Sequence, residues 1–183
     1  MRGNIMNKIL AVIKEILPYL LLFAAIFLVL QFVGQRTVVN GQSMENTLHN
    51  KENLLLDKIS YRFSEPERFD IIVFPDVEED GESPYYIKRI IGMPGETVQI
   101  KDGAVYINGE KLDSDIYAKD GYTEEAGIAA EPVTVGPDEY FCLGDNRQNS
   151  RDSRFDVGMV KRSDIVGKVE YRFWPPENFG KLE

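Results

Sequence analysis

Ser43, in Gly41-Gln42-Ser43-Met44, offers a hydroxyl, and Lys88, in Tyr86-Ile87-Lys88-Arg89-Ile90-Ile91, offers an amine inside an apolar run. A serine hydroxyl is a weak nucleophile until a neighbour takes its proton. A lysine can do so only when neutral, and apolar surroundings lower its pKa towards that state. Ile87, Ile90 and Ile91 supply such surroundings if Lys88 points inward. On a strand Lys88 and Arg89 face opposite ways, so only one of them need reach water. Taken singly, Ser43 reads as an ordinary turn residue and Lys88 as an ordinary surface cation. Gly41 permits positive φ or a close backbone approach, which suits a loop that presents N–H groups to an oxyanion.

A third polar stretch follows an apolar strand: Gly144-Asp145-Asn146-Arg147-Gln148-Asn149-Ser150-Arg151-Asp152-Ser153-Arg154. Three arginines beside two aspartates there suit a loop held rigid by paired charges, of the kind that supports an active site. The single histidine, His49, lies six residues after Ser43 and is the internal rival as base. Asn50, Lys51 and Glu52 place it in an exposed turn. The single cysteine, Cys142, within Tyr140-Phe141-Cys142-Leu143, reads as a small buried apolar residue. One histidine and one cysteine rule out an internal disulfide and a histidine- or cysteine-rich metal site. No cofactor is implied.

The elements that position these residues begin with an uncharged run from Ile16 to Val33. As a helix it spans roughly 27 Å, close to the hydrocarbon thickness of a bilayer. Pro18 falls in its first turn on that reading. Arg2, Lys8 and Lys14 precede the run, which favours a cytoplasmic N-terminal segment (residues 1–15) and an extracytoplasmic body (37–183). A cleavable leader is the rival, but Gln31-Phe32-Val33-Gly34-Gln35-Arg36 lacks an Ala-x-Ala pattern. The chain has 183 residues and a net charge of −9, and the body is its acidic part. That argues against nucleic acid as a partner.

The body reads as short strands and turns: Thr37–Val39, Leu54–Leu56, Phe69–Phe74, Thr97–Ile100, Ala104–Ile107, Tyr140–Leu143 and Ile165–Phe173. Asp102-Gly103 and Asn108-Gly109 are hairpin signals. The polar stretch Asp113–Pro132 reads as an insertion or mobile loop, within an inserted region at about residues 101–136. The expected fold is mainly β: one membrane helix, then an antiparallel sheet system or barrel.

Together these segments resemble type I signal peptidases. The carriers are Ser43-Met44-Glu45-Asn46-Thr47-Leu48, Arg68–Phe74, Tyr86–Glu96, and Gly144–Arg147 with Ser150, Asp152, Ser153 and Arg154, in order behind a single span. The resemblance implies a membrane-anchored serine endopeptidase that removes signal peptides from exported preproteins after small residues at positions −1 and −3. It implies Ser43 as nucleophile, Lys88 as general base and the Ser43 backbone N–H as an oxyanion donor. Ser150 would orient the Lys88 amine. Asp145, Arg147, Asp152 and Arg154 would hold the loop, with Asp152 and Arg154 paired. Val39, Met44, Leu48, Tyr86 and Ile87 would line the substrate pockets. The partners implied are preprotein signal peptides and membrane lipid, with the protein acting as a monomer in the plasma membrane.

Two positions depart from the family. Gly41 stands where many bacterial relatives carry a hydroxyl that serves as a second oxyanion donor, and is common in Gram-positive-like members. Asn46 stands where proline is usual. Two other classes are weighed: a non-catalytic homologue acting in surface-fibre assembly, and a self-cleaving SOS-type repressor. The first would be expected to lack the nucleophile or the base. The second needs a DNA-binding domain where this chain has an apolar run.

Overall fold

The computed structural model describes residues 2–32, 34–75 and 85–182. A single α-helix, α1 (Arg2–Phe32), opens the chain. It begins well before the apolar run, so Pro18 sits mid-helix rather than in the first turn. The proline leaves the carbonyl four residues earlier without its usual donor. No side chain of Leu10–Phe27 is buried against the rest of the protein. The expected end of the span at Val33 lies outside the described residues.

Twelve strands follow among the described residues: β1 (Gly34–Val38), β2 (Asn53–Asp57), β3 (Ile71–Pro75), β4 (Tyr85–Gly92), β5 (Thr97–Lys101), β6 (Ala104–Ile107), β7 (Glu110–Lys111), β8 (Val133–Thr134), β9 (Glu139–Leu143), β10 (Val160–Lys161), β11 (Gly167–Trp174) and β12 (Gly180–Lys181). They form two antiparallel sheets. The larger runs β1-β2-β11-β3-β4-β9-β10, with β12 added to β11, and the smaller runs β7-β6-β5-β8. The fold is thus mainly β behind one N-terminal helix.

Local chemistry explains the tight turns. Asp102 and Gly103 both have positive φ where β5 meets β6, as do Asn108 and Gly109 where β6 meets β7. Two successive positive φ values match the twist of a two-residue hairpin.

The centre of the large sheet is covered on both faces. On β3, Ile71 and Val73 join one cluster, with Val39, Met44, Leu48, Leu54, Leu56 and Val169. Ile72 and Phe74 join another, with Ile90, Tyr140, Cys142 and Val160. A third, with Ile91, Val98, Ile100, Val105, Phe141 and Leu143, welds the small sheet to β4 and β9. Residues on β3 and β4 therefore lose water on both sides, and that decides the state of Lys88. The stretch read as a mobile loop also packs: Ala118, Thr123 and Ala129 in it are buried.

Candidate active site

Ser43 lies in the connection between β1 and β2, which pair along their length from Gly34↔Asp57 to Val38↔Asn53. The ladder continues past the strands, with Val39 N–H donating to Glu52 O and Lys51 N–H to Val39 O. The loop then turns on Met44, whose carbonyl accepts from Thr47 N–H and Leu48 N–H, both at 2.9 Å. Met44 and Leu48 plug the core beneath it. Burying each contributes about 1.5–3 kcal/mol to holding the loop down. From the far side Arg172 on β11 donates to Thr47 O and to the buried Glu52 carboxylate.

Lys88 sits on β4 opposite Ile72 of β3. Its Nζ lies 2.8 Å from Ser43 Oγ and 3.1 Å from Ile87 O. It also lies 5.1 Å from the centre of the Tyr86 ring. The residue is only 2% exposed. Burial pushes its pKa from 10.5 down to about 8, opposed by the negative charges of Asp152 and Asp145. A substantial neutral fraction therefore exists near physiological pH. The expectation that one of Lys88 and Arg89 reaches water is overturned: Arg89 is also 2% exposed. Both faces of β4 are covered, and the Arg89 charge is met by a buried carboxylate.

That carboxylate belongs to Asp145. It accepts from Arg89 Nε at 2.9 Å and Arg89 Nη2 at 2.8 Å, and from the Thr47 hydroxyl. One residue thus ties the Lys88 strand to the loop that carries Ser43. Leu143 pairs with Arg89, so the chain leaves β9 alongside Lys88. Asn146 secures Ser43 from the same loop, its N–H donating to Ser43 O at 3.0 Å and its side-chain amide to Gln42 O. Carbonyls on both sides of the Ser43 N–H are thereby fixed. Asp152 accepts from Gly144 N–H and pairs twice with Arg154, through Nε at 2.8 Å and Nη2 at 2.9 Å. Arg154 also donates to Arg147 O and Glu125 O. Among the described residues no buried side-chain nitrogen or oxygen lacks a partner.

Gly144 is tightly enclosed: a Cβ there would stand 2.2 Å from Ser150 Oγ and 2.4 Å from Ser43 O. The Ser43–Lys88 pair opens onto a cleft of about 370 Å³ walled by Val38, Val39, Met44, Tyr86 and Ile87, with Asn149 and Arg151 at its rim.

Three expectations are corrected. Ser150 does not bond the Lys88 amine; its hydroxyl points to Arg151 O at 3.5 Å, while Lys88 is bonded by Ser43 and its own strand. Leu48 does not line the cleft, because the turn on Met44 carries it into the core, where it is fully buried. The 113–132 stretch is no loose loop, because Asp115 within it makes a twofold ion pair with Arg147. His49 is exposed and does not line the cleft. Gly41 has φ +101° and its N–H donates to Asn50 Oδ1. Arg89, Thr47 and Asp115 are the residues that sequence reasoning missed. Arg89 was signalled by its place beside Lys88 in an apolar strand, whereas Asp115 has no local signature. No group of three or more His, Cys, Asp or Glu is placed to hold a metal among the described residues.

The family model for signal peptidase, peptidase S26, matches residues 9–174. The chain belongs to that family. It is therefore a hydrolase of the serine protease type, and the relatives of this peptidase agree. Signal peptidase I P of Bacillus subtilis subsp. natto is 36% identical over 174 residues, covering 92% of this chain and 91% of that protein. Signal peptidase I S of Bacillus subtilis (strain 168) is 37% identical, covering 81% of each. A probable signal peptidase I-2 of Synechocystis is 40% identical over 154 residues, covering 82% of this chain and 68% of that protein. A solved signal peptidase I from Enterococcus faecalis V583 is 39% identical and covers 57% of this chain and 97% of that one; its TM-score of 0.47 is too low to bear on the fold. The surface-fibre alternative finds no support among these relatives.

Proposed function

We infer that this peptidase is a membrane-anchored serine endopeptidase that removes N-terminal signal peptides from exported preproteins. The observation that carries the reading is the 2.8 Å approach of Lys88 Nζ to Ser43 Oγ at an open cleft, with Lys88 buried and its pKa lowered. Ser43 is the nucleophile and Lys88 the general base.

The preprotein lies extended in the cleft between Val38-Val39 and Tyr86-Ile87. β1 ends the sheet order, and β9 pairs with β4 only from Arg89 onward, so the walls suit a substrate strand. Val39, Met44, Tyr86 and Ile87 leave shallow apolar room that fits small residues at −1 and −3. Neutral Lys88 takes the Ser43 proton, and Oγ attacks the carbonyl of the −1 residue. The Ser43 N–H stabilises the oxyanion. The tetrahedral intermediate collapses to an acyl-enzyme as the Lys88 ammonium gives its proton to the departing amine. Lys88 then deprotonates a water, which releases the signal peptide and restores Ser43.

The apolar part of α1 is the membrane anchor. It crosses once, with residues 1–15 cytoplasmic and the body from residue 37 outside, as the preceding Arg2, Lys8 and Lys14 favour. The protein acts as a monomer in contact with lipid. The test is cleavage of a preprotein panel by the detergent-solubilised full chain. Ser43→Ala and Lys88→Ala should each lose at least about a thousandfold in kcat, and His49→Ala should lose almost nothing. Near-normal cleavage by Lys88→Ala would sink the assignment.

A further inference from the structure

We propose that Asp115 is a positioning residue for the Ser43–Lys88 pair, acting through Arg147 and Gly144 at one end of a strap, residues 113–129, that holds the back of the catalytic loop. The proposal rests on the Ser43–Lys88 reading above.

Asp115 accepts two bonds from the Arg147 guanidinium, at 2.8 and 2.9 Å. Both side chains are shielded, at 1% exposure for Arg147 and 7% for Asp115. The same guanidinium donates through Nε to Gly144 O at 2.9 Å and through Nη1 to the buried Thr123 hydroxyl. Gly144 is the residue that touches Ser43 O and Ser150. A single rigid fork therefore has the strap on one side and the neighbour of the nucleophile on the other. A carboxylate engaging two guanidinium nitrogens fixes the plane of the group, and with it the direction of the remaining Nε–H.

The strap repeats this arrangement along its length. The Tyr117 ring lies 3.6 Å from the Arg89 guanidinium, which also holds Asp145. Lys119 N–H donates to Asp145 O, and its ammonium meets Glu45 in the nucleophile loop at 3.4 Å. Glu125 O accepts from Arg154, and Ile128 N–H donates to Arg154 O. Gly127, at φ +53°, passes so close to Arg154 O that a Cβ would stand 2.2 Å from it. Arg89, Arg147 and Arg154, the buried cations around the pair, each have a partner in the strap. Without the Asp115 charge, Arg147 is a buried cation that moves towards water, and Gly144 O loses its aimed donor. A displacement on the order of 1 Å at the reacting atoms costs about 100-fold in rate.

The test is preprotein cleavage by the full-length protein in detergent, for the wild type, Asp115→Asn, the double variant Asp115→Leu with Arg147→Met, and Lys88→Ala. We expect Asp115→Asn to lower kcat about 30- to 100-fold with KM within about threefold. The rising limb of its pH profile should move to higher pH, because a receding loop lets water reach Lys88. The double variant removes both charges together, so its thermal midpoint should recover while kcat stays low. Asp115→Asn with wild-type kcat would overturn the proposal. So would a double variant that regains both stability and rate, since Asp115 would then only neutralise a charge. If Asp115→Asn does not fold, the double variant decides alone. Full activity in Lys88→Ala would instead overturn the Ser43–Lys88 reading itself, so the two failures are distinguishable.

Discussion

Burial lowers the pKa of Lys88, and on the proposed mechanism its neutral fraction sets the rate. With a pKa lowered to about 8, kcat/KM should rise with pH through about 8 and level off above it. A profile flat from pH 6 to 10 would contradict this. The same burial costs stability. Folding lowers the pKa of Lys88 below 10.5, so between about 8 and 10.5 the unfolded chain binds more protons and stability rises with pH. Below about 8 the full penalty applies, about 3 kcal/mol at most. Lys88→Met should therefore abolish cleavage yet raise the thermal midpoint at pH 7, with the gain fading towards pH 10.5. Ser43 and Lys88, the proposed nucleophile and base, are ordinary when taken singly and stand out only through their order among the other motif segments. The placement of Ser150 and Leu48 was not legible, because the local course of the backbone, not the residue type, sets where those side chains point. The ion pair of Arg89 was hidden because its partner, Asp145, lies 56 positions away.

Two connections, one between β1 and β2 and one after β9, meet edge to edge at the level of elements, and Gly144 is one of the places where they touch. Gly144→Ala should cost about 1–3 kcal/mol from overpacking and up to about 100-fold in kcat, because the new methyl would collide with Ser43 O and Ser150 Oγ. Stability by thermal melt and single-turnover cleavage separate the two effects. Removing the buried counter-charge should be worse for the fold. Asp145→Leu leaves the Arg89 guanidinium unpaired and should destabilise by about 3–5 kcal/mol, read as a lowered denaturation midpoint. The Asp-Gly and Asn-Gly hairpins were readable because positive φ is a local demand. The start of α1 was not, because an apolar count locates the stretch suited to lipid, whereas a helix continues through any residues that tolerate it. The packing of residues 113–129 was hidden for a different reason: a polar composition says nothing about arginines waiting elsewhere in the chain.

Seen whole, the molecule builds its large sheet out of sequence order. β11, from Gly167 to Trp174, lies between β2 and β3. Within the sheet, the hairpin that carries Ser43 is therefore joined to the strand that carries Lys88 through one of the later segments of the chain. This crossover was not visible in the sequence, since a strand pattern reveals a strand but not its neighbours. A chain ending at Val166 keeps every residue of the proposed chemistry and should still cleave nothing, a result that preprotein cleavage by the purified truncated protein would check. The order of the strands thus acts as a clock. During synthesis Ser43 is made first and Lys88 second. The sheet path between them closes only once β11 has been made, so on the proposed mechanism the young chain stays inactive until then.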